Sequence, residues 1–327
     1  MKDVLNVEAK LAEVMDIDPA LAQVIPGIED WLLAGRLTAY LLSVGKAVIK
    51  KGVKLIEVAN AVEKELLSLN TVSLKTIKLA FPLNISLNEC AAHYSPKIND
   101  ETVFNDQVVK LDLGVNVDGA IGDSAITIDL SGRYQELVNA AQDALNQALL
   151  VIKPGICAGE IGRLVEKTIT SKGFQPIRNL GGHQIERYNL HSGIFIPNAN
   201  TDSKDALQRG QIFAIEPFAS TGSGLVEQDG EPEIFILTRD KHIKDRHIRM
   251  IRNALDYFDG LPFSKLNLYQ LSDKFTKEKI ESALHYFTRQ NMIYGFHPLS
   301  DTKKGITSQA EHTIIIGKKP IITTVYN

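Results

Sequence analysis

Shifted against itself by 103 positions, the chain repeats: VIKKGVKLIEVANAVEK from Val48 lies without a gap on VIKPGICAGEIGRLVEK from Val151. Val48 falls on Val151, Ile49 on Ile152, Gly52 on Gly155, Glu57 on Glu160, and Val62-Glu63-Lys64 on Val165-Glu166-Lys167. Each copy reads as helix, glycine-containing turn, helix, and each runs on into an extended segment that carries a histidine. Two amphipathic helix pairs can look alike by chance. The other explanation is a duplicated α/β half, and it constrains the fold far more: it builds a site where the two halves meet.

The remaining patterns fit an α+β protein. Leu37, Leu41, Val44 and Val48 share one face of a helix, and Val58, Val62 and Leu66 form the buried stripe of a second helix from about Ile56. AFPLNISLNECAAHYSP, with Pro82 and its asparagines, reads as an extended segment leading into a loop. VVKLDLGVNVDGAIGDSAITIDL holds two β-rich runs joined around Asp118-Gly119, a strong hairpin mark. Residues 1–27 read as a short helical extension punctuated by Pro19 and the Pro26-Gly27 pair. From about 240 to 295 the pattern turns helical, in RHIRMIRNALDYF and TKEKIESALHYFTRQ, and the strands AEHTIII and PIITTVY follow. The spacing therefore predicts a helical subdomain at 240–295, inserted into a main domain built from 28–239 and 296–327. Arg246, His247, Arg249 and Arg252 are expected on a solvated helix face rather than on RNA.

Composition limits the setting. With 44% hydrophobic and 23% charged residues the chain is ordinary for a soluble globular protein, and a net charge of −3 supplies no basic field for nucleic acid. Cys90 and Cys157 are too few for a disulfide framework, and no stretch nears the roughly 18 apolar residues of a membrane helix. The sequence predicts a cytoplasmic protein with no membrane partner.

Acids in apolar surroundings carry the chemistry. Asp112 sits within Lys110-Leu111-Asp112-Leu113-Gly114, where a carboxylate is costly unless paired or bound to a metal. With a tight turn around Val117 to Gly119, Asp123 falls nearly opposite it, give or take a residue of register or a bulge at Gly122. Opposed on one face, the pair would have Cβ atoms about 5 Å apart, a repulsion that a cation relieves. Glu216 ends the buried-looking run Ile212-Phe213-Ala214-Ile215, Glu311 precedes Ile314-Ile315-Ile316, and His183 follows Gly181-Gly182. Each alone also fits an edge-strand acid or a surface histidine. Together, four carboxylates and an imidazole suit two divalent cations about 3.5–4 Å apart, and Mn²⁺, Fe²⁺, Co²⁺ and Zn²⁺ all fit such a donor set. His93 and His191 remain to hydrogen-bond a peptide carbonyl or amide. No P-loop, HExxH, GxSxG or CxxC occurs, and Cys90, close to His93, reads as a small buried thiol rather than a nucleophile.

AFPLNISLNECAAHYSP, LDLGVNVDGAIGDSAITI, NLGGHQIERYNLHSGIFIPN, FAIEPFASTGSG and QAEHTIII resemble the methionine aminopeptidase family, and type II (archaeal and eukaryotic) most closely. The segments fall in the family's order, from about residue 30 to the end. The resemblance implies a pita-bread fold, two related α/β halves around a dinuclear metal site, with a winged-helix-like insert at 240–295 that type I lacks. It implies Asp112 as ligand of one metal, His183 and Glu216 as ligands of the other, and Asp123 and Glu311 as bridges. Glu216 is then also the general base toward a metal-bridged hydroxide, while His93 and His191 contact the scissile peptide and steady the tetrahedral species. A methionine pocket is implied near Phe81 and Leu190, with Phe296 a further candidate. The implied substrates are N-termini of nascent polypeptides with a small second residue, taken by a monomer that has the ribosome as a candidate partner. Ala310 departs from the family, which usually has an aromatic there, so the pocket or metal-site packing is expected to differ. Residues 1–27 lack the charged low-complexity extension of the eukaryotic enzymes, which favours an archaeal type. Two other readings stay open: an Xaa-Pro aminopeptidase, and a catalytically silent relative that binds RNA or protein.

Overall fold

Pro19, whose missing N–H is no loss in a first helical turn, opens α1 (Pro19–Val24) in the computed structural model, which describes residues 19–71, 73 and 75–325. Residues 1–18 of the N-terminal extension lie outside the described residues. Then come α2 (Ile28–Val48), α3 (Leu55–Asn70), β1 (Ile77–Leu79), β2 (Asn84–Leu87), β3 (Cys90–Ala92), β4 (Val108–Val117) and β5 (Ala120–Asp129). β4 pairs antiparallel with β1, β2 and β5. Its odd residues Val109, Leu111, Leu113 and Val115 enter one apolar core with Leu37, Leu41, Val58 and Val62 of the helices. The period of two therefore sends its even residues, Asp112 among them, to the opposite face.

The second half begins with α4 (Gln135–Val151) and α5 (Ala158–Ser171), followed by β6 (Gln175–Pro176), β7 (Gly181–Glu186), β8 (Asn189–Pro197), β9 (Ile212–Ile215), β10 (Phe218–Ser220) and β11 (Val226–Gln228). The repeat is built into both halves. α2 and α4 end at the matched valines, Val48 and Val151, and the matched glycines Gly52 and Gly155 turn with φ of 87° and 89°. Glu57 accepts the Lys54 N–H at 2.9 Å and Glu160 accepts the Cys157 N–H at 3.3 Å, so α3 and α5 start alike. The likeness extends past the matched sequence: Gly52 and Leu55 N–H groups donate to Phe104 and Thr102 carbonyls, as those of Gly155 and Ala158 donate to Leu207 and Asp205. All these pairs keep the shift seen in the sequence.

Next come β12 (Ile234–Leu237), α6 (Arg246–Ala254), β13 (Phe263–Ser264), α7 (Lys265–Leu271), α8 (Lys277–Arg289) and β14 (Ile293–Phe296). β12 pairs with β13 and β14, so the helical stretch carries a small sheet that starts at Ile234, ahead of residue 240. Ile251, Leu268, Ile280 and Phe287 join the apolar core of the first half. Arg246, His247 and Arg249 are exposed, while Arg252 is paired with Asp240 at 2.7 Å and Asp256 at 2.6 Å. The chain closes with β15 (Leu299–Asp301), β16 (Thr307–Gln309), β17 (His312–Ile315) and β18 (Ile321–Ile322). β15 pairs with β3 and β11, β16 with β10, and a five-stranded sheet runs β18-β17-β9-β7-β8. Among the described residues no helix is long and apolar enough to cross a membrane.

The hairpin corrects one expectation. Asp118 and Gly119 both take left-handed backbone, φ 48° and 90°, and form a two-residue turn with Val117 as the last strand residue. Asp112 therefore pairs with Ala125, and Asp123 with Gly114; the two aspartates are diagonal, not opposed. There is no bulge at Gly122, which pairs with Val115. An offset of two residues still leaves both carboxylates on one face, since side chains alternate.

Gly122 meets α2 at close quarters. A Cβ there would lie 2.6 Å from Gly35 backbone atoms, and Thr38 Oγ1 bonds the Gly122 carbonyl at 3.0 Å. We expect Gly122→Ala to lower stability by about 1–3 kcal/mol, the usual range for overpacking. An unchanged midpoint in chemical denaturation would show that α2 can move away from the sheet.

Candidate metal centre

Asp112, Asp123, His183, Glu216, Glu311, His93, His191, Phe81 and Leu190 all line one cavity of about 700 Å³. β4 and β5 bring the aspartates from the first half. β7 brings His183, the end of β9 brings Glu216, and the segment between β16 and β17 brings Glu311. A seam of hydrogen bonds joins the halves at this point. Asp123 N–H donates to Thr313 Oγ1 at 2.7 Å, and that hydroxyl donates to the Asp123 carbonyl at 2.8 Å. Glu311 N–H donates to the Ala125 carbonyl at 3.1 Å, and Ser124 Oγ donates to the Glu311 carbonyl at 2.6 Å.

The side chains converge across that seam. His183 Nε2 is 3.6 Å from both Asp123 Oδ2 and Glu216 Oε1. Asp123, His183 and Glu311 each present a ligand atom within 4.8 Å of the others. Asp112 and Glu216 join this trio through Gln309, whose Nε2 donates to Asp112 Oδ2 and Glu216 Oε2 at 3.5 Å and to Glu311 Oε2 at 3.3 Å.

Burial pushes the Asp112 carboxyl up to about 7. Asp123, Glu216 and Glu311 are raised well above the carboxylate range, first by burial and then by repulsion from one another and from Asp112. His183 is lowered well below its ordinary value, mainly by burial and then by His191, so it is a neutral, electron-pair-donating ring. The Oδ1 atoms of Asp112 and Asp123 have no hydrogen-bond partner among the described residues. Four acids in so small a space ionise together only with positive charge among them. Carboxylate oxygens plus one imidazole are donors suited to divalent cations, and the residues fit the metal that the sequence called for.

The two remaining histidines stand beside this group. The His191 ring lies 4.3 Å from that of His183. His93 has left-handed backbone, φ 66°, unusual for a side chain with a Cβ, and its ring meets Phe296 edge-on at 5.6 Å. Burial lowers both, His93 to about 4, which keeps them uncharged at neutral pH. Away from the acids the wall turns apolar. Phe81 lies against Gly114, where a Cβ would come within 2.5 Å of its ring. Leu190 and Phe296 share the lining with Ile234 and Ile236 of β12 and with Leu261 and Pro262 of the insert.

Several residues at the site lack a mark in the sequence pattern. Gln309 stands two positions before Glu311, a spacing that puts both on one side of an extended segment, and that was the available signal. Nothing local marked the insert residues, which reach the cavity only through tertiary folding. Ala310 alternates to the other side, into the core of the second half with Leu137 and Ile215, and does not line the cavity. Its small side chain therefore bears on packing behind the site. Cys90 is a half-buried free thiol, raised by burial, with no sign of activation.

The profile of Metallopeptidase family M24 matches residues 32–253. The methionine aminopeptidase of Methanocaldococcus jannaschii is 39% identical over 303 residues, covering 92% of this chain and 99% of that protein. The crystal structure of the Thermotoga maritima methionine aminopeptidase superposes with a TM-score of 0.65 at 24% identity, covering 91% of this chain and 96% of that one. A thermophilic Arx1 structure superposes with a TM-score of 0.77 at 18% identity, covering 96% and 93%. The fold is thus the pita-bread fold of the methionine aminopeptidases.

Two expectations follow from the acid cluster. Asp123→Ala or Glu311→Ala should lose at least one metal ion per chain by elemental analysis, and an unchanged count would remove both from the ligand set. The second concerns pH. Acids whose folded pKa is raised bind protons more tightly when folded, so metal-free protein loses stability as pH rises from about 4 through about 7. Bound divalent metal cancels that loss. The increase in Tm on adding Mn²⁺ should therefore grow between about pH 5 and about pH 8; an equal increase at both would contradict the buried-acid account.

Proposed function

The chain belongs to metallopeptidase family M24, with the methionine aminopeptidases, and on that premise we propose how its cavity removes methionine from the N-terminus of a peptide. The observation that carries the reading is the convergence of Asp112, Asp123, His183, Glu216 and Glu311, drawn from both halves, beside an apolar pocket. These residues would hold two divalent cations of the Mn²⁺, Fe²⁺, Co²⁺ or Zn²⁺ kind, Asp112, Asp123, Glu216 and Glu311 through carboxylate oxygens and His183 through its imidazole. Cations bound there supply Lewis-acid activation of water and of the scissile carbonyl.

The side chains divide the remaining work. Glu216 is only half-buried, at the cavity wall, and takes the proton of the attacking water before passing it to the leaving amine. His191, beside His183, donates a hydrogen bond to the oxygen on which charge develops. His93, oriented by its strained backbone and Phe296, contacts the peptide nitrogen. Phe81 and Leu190 take the methionine side chain, with Phe296 and Ile234 of β12 completing the apolar wall. The peptide's free amino group lies at the acidic end, which makes the enzyme an exopeptidase. The same reading has a cytoplasmic monomer acting on nascent N-termini, with the ribosome as their source. It also treats 240–295 as a winged-helix-like insert in a catalytic domain of 28–239 and 296–327.

Purified protein supplied with Mn²⁺ or Co²⁺ should release methionine from Met-Ala and Met-Gly peptides, and far more slowly when the second residue is large. Absence of release with all of Mn²⁺, Fe²⁺, Co²⁺ and Zn²⁺ would leave the silent-relative reading standing. Faster cleavage of Xaa-Pro peptides than of Met-Ala would make the chain an Xaa-Pro aminopeptidase.

A further inference from the structure

Asn84 lines the same cavity, is only 4% exposed, and has no part in the steps above. It opens β2 directly across from Asp112 on β4. Paired residues of neighbouring strands share a face, with Cβ atoms about 5 Å apart. Asn84 Nδ2 donates to the Pro82 carbonyl at 3.1 Å, which fixes the orientation of the amide. Its Oδ1 is buried and has no hydrogen-bond partner among the described residues. A buried amide oxygen without a donor is unfavourable, and its neighbour cannot help, because an ionised carboxylate only accepts. Asp112 Oδ1 and Asp123 Oδ1 are unpartnered as well. Three neighbouring strands, β2, β4 and β5, thus present unsatisfied acceptors at one end of the cavity, and cations on the two aspartates leave the amide oxygen still without a donor.

We propose that Asn84 Oδ1 accepts an N–H of the substrate's terminal amino group and so reads whether that terminus is free. The inference rests on the aminopeptidase reading. A free amine carries enough N–H groups to serve Asn84 while facing the acidic end. A formylated or acetylated terminus has one N–H and adds a carbonyl oxygen, which the row of acceptors repels. Asn84 is then a substrate-binding residue whose work is discrimination for an unblocked N-terminus.

The test measures binding of two ligands to the full-length, Mn²⁺-loaded protein by calorimetry. L-Methioninol carries the amine, and 4-(methylthio)butan-1-ol is the same molecule without it. In Asn84→Ala, methioninol should bind at least tenfold more weakly, the des-amino ligand should bind as before, and metal content should be unchanged. Hydrolysis of Met-Ala peptides should then suffer mainly in KM. Asn84→Leu, closer in volume, gives the same comparison if the alanine variant unfolds. Equal weakening of both ligands, no weakening of either, or loss of metal from the variants would each overturn the proposal. A wild-type protein that releases no methionine fails the underlying reading instead, whereas one that cleaves Met-Ala but gains nothing from the ligand's amine fails this proposal alone.

Discussion

The Thr313 hydroxyl accepts the Asp123 N–H and donates to the Asp123 carbonyl, so one side chain occupies both hydrogen-bonding groups of a residue 190 positions away. With the bonds from Ser124 and Ala125 to Glu311, this seam fixes the edge of the first sheet against the last strands of the second. Carboxylates at such a junction repel one another, and the seam holds their backbones together without using the side chains. Those side chains stay available for cations. Gln309 adds one amide spread over three of the acids, at distances long enough to orient them without neutralising them.

The insert does a separate job. Its helices share the apolar core of the first half, so it is anchored there, yet its Leu261 and Pro262 form part of the cavity wall. The insert therefore adds to the apolar wall beside Phe81 and Leu190 while supplying none of the five acid and imidazole groups. Changes in the insert can reshape what the pocket accepts while the metal ligands, held by the seam, stay in place. His93 lines the same cavity, with a left-handed backbone and its ring against Phe296 of β14.

Much of this was readable beforehand because it is local or periodic. The helix pairs, the Gly52 and Gly155 turns and the Asp118-Gly119 hairpin follow from spacing and from residues that adopt positive φ. Putting Asp112 and Asp123 on one face needed only that the offset between them be even. The offset itself was misjudged, because Val117 stays in the strand rather than joining the turn. The joining of the five ligands came from their family resemblance, since no local rule connects Asp112 with Glu311. Gln309, Asn84 and the insert's wall residues were passed over for the same reason: their partners are set by tertiary contacts. Ala310 stands where the family usually has an aromatic, and strand alternation turns it into the core behind the site.

The seam also has an order in time. A ribosome makes Asp112 and Asp123 well before His183, and makes Glu311 and Thr313 later still. Until that last segment has emerged and paired with β5, the aspartates face an unfinished wall with no partner for the Asp123 backbone N–H. The junction that gathers the acids is thus closed only by the last stretch of chain to be made.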